Sequence, residues 1–374
     1  MKKILSLLLA LSMALSLAAC SPNQSETENG VAASEEAAVE ETAEETSEEA
    51  NDAEAAASET DSAADTAAEV VYPVTVTDQA GREVTIEEEP QKLVSGYYIS
   101  TSLLIALDLD EKLVGIEAKA DTRSIYHLSA PELLELPSVG TAKEFDLEGC
   151  AALEPDLVIL PMSLQDTAGT LEELGIQALV VNPEDQELLS GMISLIGTAT
   201  NTEGRAQSLL DFTSEQKARL AEALADVETP SVYLAGNSSL LSTAGDAMYQ
   251  SDMIRMAGGV NAAAEITDTY WAEISYEQLL AWDPEYIVLA SDADYTVEDV
   301  LADQNLAECT AVVNGNVYQI PGDAEAWDSP VPSGILGAVW LSSVLHPEEC
   351  PEADSAAVID EYYETFYGFT YSEN

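Results

Sequence analysis

Positive charge is what this chain has least of. Twelve Lys and Arg stand against 70 Asp and Glu, giving a formal net charge of −58 over 374 residues. A polyanion needs a basic footprint, so nucleic acid is excluded as a partner. Histidine is scarcer still, with His127 and His346 alone. A protein that grips a bare Zn²⁺ or Mn²⁺ ion ordinarily converges several His and carboxylate ligands, which two His residues poorly supply. The four cysteines fall at no CxxC spacing, so neither a zinc site nor a disulfide framework is indicated. One pair among Cys150, Cys309 and Cys350 has the option of closing outside the cell. Absent too are the Gly-x-Ser-x-Gly elbow, the Walker phosphate loop and the GxGxxG fingerprint. Cys150 has no His near it in sequence and reads as a core residue. Nothing points to an enzyme, and no cofactor is implied.

The N-terminus carries an export pattern. Lys2 and Lys3 precede an apolar run, Ile4 to Ala19, that is too short for a stable membrane span. The run ends Leu17-Ala18-Ala19-Cys20, which resembles a bacterial lipobox. Residues 1–20 are therefore expected to be a lipoprotein signal peptide, with Cys20 diacylated as the membrane anchor. The alternative is an ordinary signal cut after a small-x-small site, with Cys20 incidental. Ser21 to Glu69 holds sixteen acids, no Lys, Arg or aromatic residue, and almost no large aliphatic side chain. Such a segment buries too little apolar surface to offset its ordering entropy, and residues 21–69 are expected to form a disordered acidic tether. An extracytoplasmic, lipid-anchored location follows from the two together.

The remainder, about Val70 to Asn374, is long enough for two lobes and a sizeable core. It opens with a hairpin-like unit, Val74–Thr77, a turn at Asp78-Gln79-Ala80-Gly81, and Arg82–Ile86. Short apolar strands follow at Leu93, Leu113, Leu157 and Ala178, with helical patterns between them. That alternation predicts an α/β lobe around a mainly parallel sheet over 70–186. Over 187–228 the apolar spacing is continuously helical, with Thr198–Gly204 a candidate interruption, and one long linking helix is expected. A second α/β lobe is expected over 229–374. Its strands are placed at Val232–Ala235 and Tyr286–Leu289, a hairpin at Val312–Tyr318 around Asn314-Gly315, and an amphipathic helix at about Ile335–Leu345.

One internal match stands out. The stretch from Glu148 through Leu153, Pro155 and Leu157-Val-Ile-Leu160 lies on Glu277 through Trp282, Pro284 and Tyr286-Ile-Val-Leu289 at identical offsets. Each copy reads as a short helix, a Pro-containing turn and a buried strand. Two similar lobes facing across a cleft would explain it, and clefts between lobes are where small ligands bind.

With Thr77–Val84, Asp110–Gly115, Val139-Gly140 leading to Asp146–Glu148, Leu153–Ile159 and Ala257–Asn261, the chain resembles the iron–siderophore/vitamin B12 periplasmic-binding protein family. It departs from that pattern at Leu107-Asp108-Leu109, where Leu-Gly is usual. The resemblance implies two Rossmann-like lobes bridged by one long α-helix, with a ligand cleft between them. It implies an ABC-importer receptor, expected to be a monomer, that carries a metal chelate to a permease dimer. An iron–siderophore is the first expectation and a corrinoid the next; a free metal-ion receptor or a ligand sensor of the same fold is the alternative. The matching Glu on each lobe, Glu148 and Glu277, would meet the permease; the competing reading is a helix-dipole partner. Tyr97, Tyr98, Tyr126, Tyr270, Trp271 and Trp327 are candidate ligand contacts, since flat aromatics contribute area at low entropy cost. Core packing is the competing reading for each. Arg123 suits a carboxylate or an anionic metal centre. His127 is a candidate metal contact through a bound chelate only, and Asn237 a candidate polar contact.

Overall fold

The central strands Leu93–Ser95, Leu157–Pro161 and Ser231–Ala235 are short, mostly apolar and buried on both faces, the pattern of a parallel sheet covered by helices. The computed structural model describes residues 70–374; the expected signal segment with Cys20 and the acidic tether of 21–69 lie outside those residues. β1 (Val74–Thr77) and β2 (Glu83–Ile86) pair antiparallel. The first lobe then runs β3 (Leu93–Ser95), α1 (Tyr98–Ala106), β4 (Leu113–Gly115), α2 (Ser124–Ser129), α3 (Leu147–Ala152), β5 (Leu157–Pro161), α4 (Gln165–Glu173), β6 (Gln177–Val181) and α5 (Gln186–Thr200). Its sheet has the order β4-β3-β5-β6, all parallel.

After α6 (Glu203–Ala223), the second lobe runs β7 (Ser231–Ala235), β8 (Ser242–Ala244), α7 (Tyr249–Met256), β9 (Val260–Asn261), β10 (Trp271–Glu273), α8 (Tyr276–Trp282), β11 (Tyr286–Leu289), α9 (Val297–Ala302), α10 (Thr310–Asn314) and β12 (Val317–Gln319). Its sheet has the order β9-β7-β11-β12, again all parallel. Counting each lobe's own sheet strands from one, both sheets read second-first-third-fourth. β8 and β10 form a separate antiparallel pair. The chain closes on α11 (Ile335–Leu345) and α12 (Glu352–Tyr367).

The internal match holds in three dimensions. α3 and β5 correspond to α8 and β11, and each helix is capped two residues before its Glu, by Asp146 and by Ser275. The residues before the two prolines, Glu154 and Asp283, both take the left-handed conformation. Each turn thus breaks its helix sharply enough to feed the buried strand.

Three expectations are corrected. The single linking helix over 187–228 is two helices, broken within the candidate interruption Thr198–Gly204: Asn201, at φ +60°, ends α5, and α6 alone runs on, packing against α5, α7 and α11. The hairpin at Asn314-Gly315 is instead the end of α10, with Gly315 at φ +74° as its left-handed cap before β12. β12 pairs parallel to β11, and a parallel neighbour requires a crossover that a tight hairpin cannot provide. α11 is buried on nearly every face and is not amphipathic, because α12 covers the side that would otherwise meet water. Cys150, Cys309 and Cys350 are all buried and unpaired.

Candidate functional site

In open parallel sheets, ligands bind beyond the carboxyl ends of the strands, where the strand order reverses. A cavity of about 550 Å³ lies at that place for both lobes. From the first lobe come Tyr98 and Ser102, after β3, and the segment Lys119–Tyr126, after β4. From the second come Asn237 after β7, Asp292 after β11, and Gly322 to Val331 after β12. The volume sits in the ordinary range for small-molecule pockets.

Among the described residues, Arg123 forms no salt bridge. Its guanidinium carbon lies 4.1 Å from the Tyr98 ring centroid, a cation–π contact that leaves the planar group's donors free. Its Nε is buried and has no hydrogen-bond partner. Residues 70–374 contain ten Lys and Arg. Five of them, Arg82, Lys92, Lys112, Arg205 and Arg255, pair with carboxylates. Arg123 and Lys119 are among the five that form no ion pair among the described residues, and both line the cavity. Lys119 is also in the left-handed conformation at φ +68°, a costly one for a side-chain-bearing residue.

Two buried carboxylates adjoin these cations, Glu117 behind the first-lobe wall and Glu325 in the second-lobe wall. Glu117 accepts hydrogen bonds from Thr101 Oγ1 at 2.6 Å and from the Tyr126 hydroxyl at 2.7 Å. Glu325 accepts from Ser102 Oγ and Ser333 Oγ, each at 2.5 Å, so it joins α1 of the first lobe to the second-lobe loop. The Tyr367 hydroxyl lies 2.8 Å from the same Ser102 Oγ. Burial raises both carboxyls above their ordinary range, opposed by these hydrogen bonds and by Arg123. Burial likewise raises the Tyr98 and Tyr126 hydroxyls, the latter further because Glu117 faces it.

The structure brings together Tyr98, Arg123, Tyr126 and Asn237 from the residues singled out in sequence. Tyr97 meets Tyr98 edge-on, with ring centroids 5.3 Å apart, but does not line the cavity. Tyr270 and Trp271 are exposed, at 56% and 41%, and stand outside it. A Cβ added to Gly236 would meet the Trp271 ring at 2.9 Å, which puts Trp271 beside the Gly236-Asn237 turn. Trp327 is corrected: it is 1% exposed, donates Nε1 to the Tyr363 hydroxyl at 2.9 Å, and packs against Tyr371. It lies in the core because the loop before α11 folds inward onto α12. His127 is exposed, bonds the Asp121 carbonyl at 2.9 Å, and faces a neighbouring hollow. Glu148 and Glu277 sit exposed in the first turns of α3 and α8. Sequence reasoning missed Lys119, Asp292 and Glu325; the strand-end rule applied after β4, β11 and β12 would have found them.

Comparison with known proteins agrees with the two-lobe fold. A family model described as periplasmic binding protein matches residues 93–324. The molybdate-binding protein MolA of Haemophilus influenzae is 26% identical, over 79% of this chain and 91% of its own. The Bacillus subtilis ABC transporter substrate-binding lipoprotein YvrC is 28% identical, over 75% of this chain and 88% of its own. The crystal structure of a periplasmic solute binding protein from Veillonella parvula superposes with a TM-score of 0.70 at 27% identity, covering 79% of this chain and 93% of that one.

Proposed function

The chain belongs to the periplasmic binding protein family, the non-enzymatic receptors of ABC importers, and from that premise we propose that its cargo is a small metal chelate. The metal's ligand oxygens are held at Arg123 and Lys119. The observation that carries this reading is a pair of cations that form no salt bridge among the described residues, lining one cavity of an otherwise acidic protein. Two such cations attract electron-rich oxygens and repel a bare metal ion. The cavity exceeds what a tetrahedral oxyanion fills and suits a ferric siderophore, with the Tyr98 ring flanking it. A corrinoid would have to extend into the open cleft. Delivery runs through Glu148 and Glu277, one anionic knob for each permease subunit, and lipidated Cys20 tethers the receptor to the membrane.

A second reading rests on the similarity to MolA: a bare oxyanion bound by the same two cations. Calorimetric titration against ferric hydroxamates, ferric catecholates, haem, cobalamin, molybdate and free Fe³⁺ separates the two. Saturable binding of one chelate, weakened about tenfold to a hundredfold in Arg123→Gln, is the expected result; hydrogen bonds to a charged group carry that range. Molybdate binding without any chelate would replace the reading with the oxyanion, and binding of free metal alone would overturn both.

A further inference from the structure

The cavity is electrically lopsided. Both cations that line it, Lys119 and Arg123, come from the first lobe. From Met256 to Asn374 the chain has not one Lys or Arg, so the second lobe's wall beyond Asn237 has no cation to offer. That wall contributes two carboxylates, Glu325 and Asp292. They differ in standing. Glu325 is buried and already receives two serine hydroxyls. Asp292 is exposed at the carboxyl end of β11 and enters none of the ion pairs among the described residues.

A uniformly anionic ligand drawn in by Arg123 would meet Asp292 on the opposite wall, and like charges so placed cost affinity and reject partners. A ligand with a cationic group at that end would turn the same carboxylate into a contact. We infer that this receptor selects a dipolar chelate, whose metal-bound oxygens face Arg123 and Lys119 and whose ammonium or comparable cation faces Asp292. The inference rests on the chelate reading above and adds the charge of the ligand's far end. Asp292 is the specificity-determining residue in it. The bland alternative, that the acidic wall merely offsets the charge of Arg123, fits Glu117 and Glu325, both of which feel that guanidinium. It leaves Asp292 without a role.

The test uses the mature full chain and three ferric complexes of one linear trihydroxamate, whose tail ends in an ammonium, an acetamide or a succinyl carboxylate. The iron-binding head is constant, so only the tail charge varies. Calorimetry of the unaltered protein should rank them ammonium, acetamide, carboxylate, with about tenfold between the first two, equivalent to about 1.4 kcal/mol. In Asp292→Asn the ammonium-to-acetamide ratio should fall to about one. In Asp292→Lys the carboxylate tail should become the preferred one. Equal affinity for all three tails would overturn the inference while leaving the chelate reading standing. A tail preference that persists unchanged in both variants would also overturn it, since another group would then be responsible. Binding of none of the three would overturn both the inference and the hydroxamate form of the chelate reading.

Discussion

Two buried side chains beside the cavity have consequences at the scale of a single residue. Trp327 was legible as an aromatic in a loop, and loop aromatics often face ligands; what the sequence could not convey is that this loop folds inward onto a tyrosine-rich helix. Its ring fills core space and its indole nitrogen bonds Tyr363. Trp327→Ala should therefore cost about 3–5 kcal/mol of stability, read from a denaturant unfolding curve. A change confined to ligand affinity would contradict the burial. Glu325 gives a pH signature. Its carboxyl ordinarily ionises near 4.5, and burial raises that in the fold. Between the two values the folded chain keeps a proton that the unfolded chain has released. The unfolded state then binds fewer protons, and stability falls as pH rises through the window and levels off above the folded value. Glu325→Gln removes this residue's share of the slope, leaving the shares of Glu117 and Asp328, which burial also raises. Relative to the parent, the variant's Tm should rise as pH climbs above the carboxyl's ordinary value, and the gain should level off once the folded carboxyl has ionised. A Tm difference that is constant with pH would show that the carboxyl titrates normally.

Single elements explain which parts of the fold could be read in advance. Fully apolar runs such as Leu157–Leu160 have one stable use, a strand covered on both faces, and they were found where expected. The Asn314-Gly315 pair misled because one backbone requirement serves two structures: a positive φ at glycine closes a tight hairpin and also caps a helix. Local sequence does not decide between them; the parallel pairing of β12 does. The departure from the family pattern at Asp108 is a related case. Asp108 takes φ +58° at the end of α1, the conformation glycine adopts most cheaply, and aspartate is one of the few residues that reaches it routinely. Its carboxylate meets Arg205 of α6 at 3.3 Å. The break between α5 and α6 rests on Asn201, which is left-handed, accepts a bond from the Val70 amide and donates to Glu89. Asn201→Ala keeps neither the side-chain bonds nor the easy left-handed turn. About 1–2 kcal/mol should be lost, visible as a lower denaturation midpoint with an unchanged slope. An unaltered midpoint would mean that the α5–α6 packing alone sets the turn.

At the scale of the whole molecule, the duplicated architecture was legible because its signal is redundant: the offsets from Glu through Pro to strand occur twice, and each copy vouches for the other. The cavity was only half legible, because its walls are assembled from five strand ends far apart in sequence, and convergence of that kind appears only in the folded chain. The same duplication makes the docking proposal testable. Glu148 and Glu277 occupy matching, exposed positions on α3 and α8, two residues past their caps, so whatever one meets on a two-fold partner the other should meet on its twin. As rim charges they should govern encounter and register more than ligand affinity. Glu148→Ala and Glu277→Ala should each lower uptake of the bound cargo into cells, and the double variant should lower it further, while calorimetric affinity for the cargo is retained. Uptake should also weaken as ionic strength rises, since exposed charges are screened over about 8–10 Å at physiological salt. If the two glutamates serve only their own helix dipoles, the double variant will lose a few tenths of a kcal/mol of stability per helix and deliver cargo as well as the parent does.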